Sequence, residues 1–426
     1  MVVACCTVLI MVSVGVSYSF GFFFLSLQNE FGWDRMDTSV VFSVYMVVAG
    51  LTGVLAVVAL KRFGARTVLL IMGATAGLSL FIASKMESQW LFCLAYSAML
   101  PQGIGGMYLI AMITGARRWK GGVNTAYLVI GTGIGLGGIV MAPVCARLIT
   151  AYGWRDAYLI LGIITAAVFL LIGMYLKDSA LTYRRSETQA PISGGTENYY
   201  DGRSRESGKG GSVSRNTWLV PILWLSCSFS LHIAVVHIIP RISDMGYSLD
   251  EAARVIILMG VAMVLSRIFT ANISESVDRK FVGIAFALIG SIAMFWLVEV
   301  NDIWGACLFA ALCGMSWGGI GPAVIKFTSD QWIRDEDGAR DRMAWAGWIG
   351  GGALGAFFGG WAFELADHYK FAFFCGAGAM MLATVCLWNL KLTENEEKPD
   401  AGVIRSGFTG DNSVLDSDDR SEIAEK

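Results

Sequence analysis

Within the run LMGVAMVLSRIFTANI at residues 258–273, Arg267 sets a guanidinium among Val264, Leu265, Ile268 and Phe269. An arginine stays charged at any physiological pH, and an apolar setting penalises it heavily unless it faces protein, water or an anion. Its planar fork of donors suits a carboxylate, which it can hold bidentately and more strongly where the dielectric is low. Two histidines are similarly rare polar groups in apolar sequence. His232 and His237 lie five residues apart, and either ring could carry a proton near neutral pH. An enzyme is not indicated: there is no nucleophile paired with a base, no metal-ligand spacing and no phosphate-binding loop, so neither a metal nor another cofactor is expected. The nine cysteines (Cys5, Cys6, Cys93, Cys145, Cys227, Cys307, Cys313, Cys375 and Cys386) all lie inside apolar runs and read as small buried hydrophobes, not ligands or disulfides.

The elements that must position these groups are membrane-spanning helices. Of 426 residues, 55% are hydrophobic and only 15% charged, and the mean hydropathy is +0.59; a soluble domain carries about a quarter charged residues. The net charge of −2 offers no basic face for nucleic acid. A spanning helix needs about 20 mostly apolar residues, and twelve segments qualify: 2–27, 38–60, 67–84, 89–114, 123–149 and 154–176, then 218–240, 252–272, 281–298, 303–327, 343–365 and 369–390. The first begins at once, without a basic n-region or a small-residue cleavage site, so it is expected to be retained. This predicts an all-α membrane protein with two six-helix bundles, 1–176 and 218–392, joined by a polar linker at 177–217 and followed by a tail at 393–426.

Basic residues alternate between the two sides of this arrangement. Twelve fall in the loops of one side (Lys61, Arg62, Arg66, Arg117, Arg118, Lys120, Arg279, Lys280, Lys326, Arg334, Arg340 and Arg342), with seven more in the linker and five from Lys391 to the end of the tail; the opposite loops hold five, Arg35, Lys85, Arg155, Arg241 and Lys370. The richer side is expected to be cytoplasmic, which places both termini there. Arg147 and Arg254 lie near outer helix ends, where snorkelling accounts for them. Arg267 is deeper, about 20 Å of helix rise from Arg254 and about 12 Å from Glu275. It snorkels toward the cytoplasmic side, bonds helix-end carbonyls or binds an anion, and no helix centre contains an Asp or Glu to pair with it.

The two halves resemble each other. GTGIGLGG at 131–138 and WRDAY at 154–158 recur about 215 residues later as GGGALG at 350–355 and YKFAF at 369–373, pairing Gly135 with Gly350 and Gly137 with Gly352. Such repeats mark transporters whose halves rock about a central site, and glycines at 131, 133, 135, 350 and 352 would let the helices approach and slide. The GxGxxG-like pattern lies within a spanning helix and not after a strand, so dinucleotide binding is discarded.

Several stretches resemble the major facilitator superfamily, and within it the monocarboxylate transporter and oxalate/formate antiporter branch. SYSFGFFFLSLQNEFGWDR at 17–35 is similar to that branch's opening segment, and KRFGAR at 61–66 to its basic turn. HIIPRISDMGYSLDEAA at 237–253 resembles the H-x-x-P-x-x-x-D-x-G-x-S turn. RIFTANISES at 267–276 resembles R-x-x-x-G-x-L-S-D, with Ala271 for the glycine and Glu275 for the aspartate, the latter a candidate in conformational gating. The resemblance spans nearly all twelve segments and carries the family's substrate-carboxylate anchor over to Arg267. Departures accompany it. Tyr18 stands near the place of a lysine found in vertebrate-type members, Met263 stands where they have an aspartate, and 343–365 lacks the lysine of the oxalate exchangers.

The resemblance implies a secondary transporter of small monocarboxylates, lactate- or pyruvate-like, working by alternating access with Arg267 binding the carboxylate. Arg267 alone among deep cations favours one carboxylate over two. Tyr18, Tyr108, Trp317 and Trp348 are candidates to line the substrate site, and His232 and His237 to carry a coupled proton. A monomer in the plasma (inner) membrane is expected, with a small acid and H+ as its partners beside the lipid bilayer. An anion exchanger of oxalate/formate type, or a non-transporting sensor or scaffold, stays open.

Overall fold

A computed structural model describes residues 1–116, 119, 123–176, 215–273, 277–332 and 339–390. Among these residues every regular element is helical: α1 Val2–Tyr18, α2 Phe20–Phe31, α3 Arg35–Lys85, α4 Gln89–Cys93, a π-helical turn Leu94–Met99, α5 Leu100–Ile104, α6 Met107–Ala116, α7 Val123–Tyr175, α8 Arg215–Asp244, α9 Leu249–Ile273, α10 Arg279–Val298, α11 Ile303–Trp332, α12 Ala339–Ala366 and α13 Lys370–Asn389. Nine helical stretches among the described residues are long and apolar enough to cross a membrane. Their outward faces carry large apolar side chains, including Leu51, Leu55, Leu171 and Phe295, as a lipid environment demands.

Two of these stretches are too long for a single crossing. A straight helix of 51 residues, the length of α3, would run about 75 Å, against a hydrocarbon core of about 30 Å. Gly64 breaks α3 at φ 79°, and Gly153 breaks α7 at φ 80°. Positive φ is a region that glycine enters without a Cβ penalty, so each break divides its helix into two segments.

The internal repeat runs at a constant offset of 214 residues. Gly32 (φ 65°) ends α2 as Gly246 (φ 87°) ends the turn after α8, and the break at Gly153 corresponds to Asp367 at φ 58°. The caps that follow match as well: Asp34 accepts from the backbone N–H of Asp37 at 2.6 Å, while Ser248 and Glu251 form a reciprocal cap, the Ser248 N–H and hydroxyl both donating to Glu251 Oε2 at 2.8 Å. The same offset governs the tightest seams. On α7, Gly133 and Gly137 lie against the carbonyls of Thr7 and Met11 on α1; on α12, Gly347 and Gly351 lie against those of Pro221 and Leu225 on α8.

This corrects the pairing expected from the glycine motifs by one residue. Gly137 matches Gly351 and not Gly352, and Gly350 faces nothing within 4 Å. Three successive glycines at 350–352 admit adjacent registers, and only close approach of backbones distinguishes them.

The N-terminal helices meet the C-terminal ones along α7 and α9, where a Cβ on Gly135 would lie 2.7 Å from the Gly260 carbonyl and one on Gly260 2.6 Å from that of Gly135. They meet again where the Trp345 indole on α12 donates to the Gly50 carbonyl on α3 at 3.3 Å. A third junction, at the end expected to face outward, is polar. Arg35 at the start of α3 binds Asp244 at the end of α8 through two hydrogen bonds of 2.6 and 2.8 Å, donates to Tyr369 Oη at 2.6 Å, and stacks 3.9 Å from the Phe363 ring centroid.

Candidate functional site

Arg267 is only 6% exposed, whereas Leu265, Ile268 and Phe269 beside it are 62%, 49% and 56% exposed. The apolar side chains therefore face lipid and the guanidinium faces protein, which rules out the reading that Arg267 snorkels to the membrane surface. Its neighbours are arranged to admit it. A Cβ on Gly131 of α7 would collide with the guanidinium, lying 2.6 Å from Nε and closer still to Cζ and Nη2. Tyr108 of α6 supplies a phenol within side-chain hydrogen-bonding reach. Nε has no hydrogen-bond partner, and among the described residues no carboxylate pairs with Arg267. Ser266 fixes the helix locally by donating to the Met315 carbonyl of α11 at 2.6 Å, and Met263 presents its carbonyl to Gly318.

The other expected residues extend from this charge. The Tyr18 phenol lies near those of Tyr45 and Tyr108, and the Tyr45 hydroxyl is 2.5 Å from that of Ser17. The Tyr18 ring stands edge-on to His232, with centroids 6.2 Å apart. Trp348 approaches the same imidazole at 5.7 Å, and Trp317 approaches Trp348 at 5.8 Å. Tyr18, Tyr108, Trp317 and Trp348 are each only partly buried, although they lie in the interior of their spans. Gly352 lets α12 approach His232: a Cβ there would lie 3.1 Å from Nδ1.

His232 is 1% exposed and has a defined tautomer. Its Nδ1 lies 2.8 Å from the Ser228 carbonyl, an oxygen that can only accept, so Nδ1 carries the proton. The Ser228 hydroxyl spends its own proton on the Trp348 carbonyl at 2.6 Å and lies 3.2 Å from Nδ1. Nε2 is thereby left as the bare acceptor of the neutral ring.

His237 occupies a different place. Its Nε2 donates to the Ala356 carbonyl at 2.9 Å, its ring packs against Phe24 and Tyr369, and it belongs to the Arg35 junction rather than to the surroundings of Arg267. Gly131 contacts the arginine directly, Gly133 lies in the α1 seam and Gly135 in the α9 seam, and Gly350 meets nothing. Glu275 lies outside the described residues. Tyr45, Phe42 and Ser228 are site neighbours that the sequence reading misses. Ser228 carries a usable signal, because it precedes His232 by four residues and so shares its helix face. The nine cysteines are free thiols, and no cluster of metal-binding side chains occurs among the described residues.

A buried guanidinium with no carboxylate partner among the described residues, at the junction of two repeated helical sets, fits a membrane transporter. The family model of the Major Facilitator Superfamily matches residues 3–339, and the chain belongs to that family. It is a multi-pass membrane transporter acting on a small molecule. Among curated relatives it is 22% identical over 368 residues to the uncharacterized MFS-type transporter YcxA of Bacillus subtilis, covering 82% of this chain and 85% of that protein. It is 26% identical over 322 residues to monocarboxylate transporter 4 of Mus musculus, covering 72% of this chain and 66% of the relative. With the probable sulfoacetate transporter SauU of Cupriavidus necator the identity is 23% over 266 residues, 60% of either chain. The chain thus spans somewhat less than two thirds of the length of the latter two relatives.

Proposed function

We propose that this protein moves a small monocarboxylate across the plasma membrane together with a proton, by alternating access of two six-helix bundles, twelve spans in all, with both termini in the cytoplasm. The observation that carries this reading is Arg267: a permanent charge, 6% exposed, whose Nε has no partner. Burying such a charge with no counter-charge is strongly unfavourable, and an anion entering beside it supplies the missing half of a charge-assisted pair. Its position on α9 beside Gly131 of α7 puts it where the two bundles meet, so closure of one bundle over the other alters its surroundings. One deep cation neutralises one carboxylate; a dicarboxylate would keep a second charge in a low-dielectric site. Relatives named monocarboxylate transporters and a probable sulfoacetate transporter support an organic anion.

The test is uptake of labelled mono- and dicarboxylates into proteoliposomes holding the purified chain, with and without an inward proton gradient. Monocarboxylate uptake stimulated by the gradient, and abolished in a folded Arg267→Ala variant, is the expected result. Uptake at the wild-type rate by that variant refutes the anchor assignment. Uptake that requires an internal anion and ignores the proton gradient indicates exchange.

A further inference from the structure

We infer that His232 is a specificity-determining residue that reads a hydrogen-bond donor on the transported acid, so that hydroxy acids are taken in preference to the oxo acids of the same skeleton. This rests on the reading of Arg267 as the carboxylate anchor and adds the group that recognises the rest of the substrate. The orientation of the ring carries it. Nδ1 lies 2.8 Å from the Ser228 carbonyl, which cannot donate, so Nδ1 holds the ring proton and Nε2 of the neutral imidazole can only accept. The Ser228 hydroxyl is committed to the Trp348 carbonyl at 2.6 Å and cannot protonate the ring in its place.

Among the described residues, the hydrogen bonds of His232 are all made at Nδ1. The imidazole is surrounded by rings, Tyr18 at 6.2 Å, Phe42 at 6.0 Å and Trp348 at 5.7 Å between centroids. Of these, Tyr18 and Trp348 stand edge-on, at interplanar angles of 85° and 77°. Tyr18 also lies between this ring and the charge, since its phenol is near that of Tyr108, the residue beside Arg267. A ligand held at Arg267 that reaches past Tyr18 would meet an aromatic wall with one acceptor in it. A hydroxyl donates to that acceptor. A ketone oxygen brings a second lone pair against it and leaves both unsatisfied, the kind of mismatch by which a polar site discriminates far more strongly than an apolar one.

The experiment measures uptake of matched pairs, lactate with pyruvate and 2-hydroxybutyrate with 2-oxobutyrate, into proteoliposomes of the full chain, at equal pH on both sides and again with an inward proton gradient. Wild type is expected to favour the hydroxy member at least tenfold in kcat/KM. His232→Phe keeps a ring of similar outline but no acceptor, and is expected to reduce that ratio below threefold while uptake of the oxo acid persists. Equal rates for the two members of each pair in the wild type overturn the inference whatever the variant does, and leave the carboxylate reading standing if Arg267→Ala is inactive. A ratio unchanged in His232→Phe overturns it too, as does a variant that loses only its response to a proton gradient, which would make His232 a proton carrier. Should His232→Phe fail to insert, His232→Gln is measured in its place, with a retained oxo-acid rate and a reduced ratio expected. Failure of the wild type to move any monocarboxylate defeats both readings together.

Discussion

The α-carbon of Gly131 lies against the flat face of the Arg267 guanidinium, so closely that a Cβ at residue 131 would sit 2.6 Å from Nε. The arginine is held between a helix that cannot carry a side chain at that point and a tyrosine that can offer a hydroxyl. Gly131→Ala is therefore expected to displace the charge from its seat. A misplaced hydrogen bond to a charged group is worth about 1.5–3 kcal/mol, so substrate affinity in a binding or counterflow assay should fall by about ten- to a hundredfold with insertion intact. Normal affinity in Gly131→Ala would show that the guanidinium does not bind where it rests.

Tyr108 supplies a side-chain hydrogen-bonding partner for the guanidinium. Removing its hydroxyl as Tyr108→Phe keeps the ring in its apolar cluster with Ile130 and Cys6 but leaves Arg267 without that partner. Two effects compete: the empty site becomes less stable, and a bound carboxylate no longer shares the guanidinium with a phenol. Loss of orientation is expected to win, with KM rising by about fivefold. The dependence of uptake rate on substrate concentration in the variant decides between them.

Arg267 is legible in the sequence because a permanent charge within an apolar helix has few physical explanations, and the burial of its neighbours merely selects one of them. The helical class, the long spans and the break of the repeat near residue 153 are legible for a similar reason, since length, hydropathy and glycine punctuation act locally. Tyr45, Phe42 and Ser228 are not, because an aromatic or a serine in an apolar run has the same local signature whether it faces a substrate, a neighbouring helix or lipid. The register of the repeat falls between these cases. The glycine motifs suggest an offset of 215, whereas the turn at Gly32 and Gly246, with caps two residues later at Asp34 and Ser248, gives 214.

The three glycines at 350–352 turn that register into a measurement. Gly350 faces open space, Gly351 meets the Leu225 carbonyl, and Gly352 meets the end of Met46 and, at 3.1 Å, Nδ1 of His232. Gly350→Ala should behave as wild type. Gly351→Ala must push α12 off α8, an overpacking strain of about 1–3 kcal/mol, and should lower the apparent melting temperature of the purified protein by several degrees. Gly352→Ala should leave the melting temperature close to normal, because the Met46 tip can move, yet shift His232 and alter substrate preference. A scan in which all three behave alike would remove the basis for the 214-residue register on this helix.

Arg35 breaks the symmetry of the repeat and ties α3 to α8 and α13 at one end of the molecule. In the first repeat Glu30 pairs with Arg155 at 2.6 Å. The residues at the same places in the second are Asp244 and Tyr369, an acid with a neutral partner. Arg35 crosses from the other set to fill the gap, binding both at 2.6 Å. An exposed ion pair contributes little, but this one is bidentate, with the arginine side chain 12% and the aspartate 27% exposed, and it joins parts that alternating access must separate. Arg35→Ala is expected to shift the population toward the state open at this end by about tenfold, in line with the loss of a charge-assisted hydrogen bond. The shift can be read in a cysteine-free background as faster labelling of Ile239→Cys by a water-soluble maleimide, since Ile239 is 1% exposed and lies against Gly21 of α2. Asp244→Asn should act in the same direction, and the double variant should label no faster than the quicker of the two, because both remove one interaction. Additive acceleration would mean that Arg35 and Asp244 hold this end closed through separate contacts, and unchanged labelling in all three would mean that they do not hold it at all.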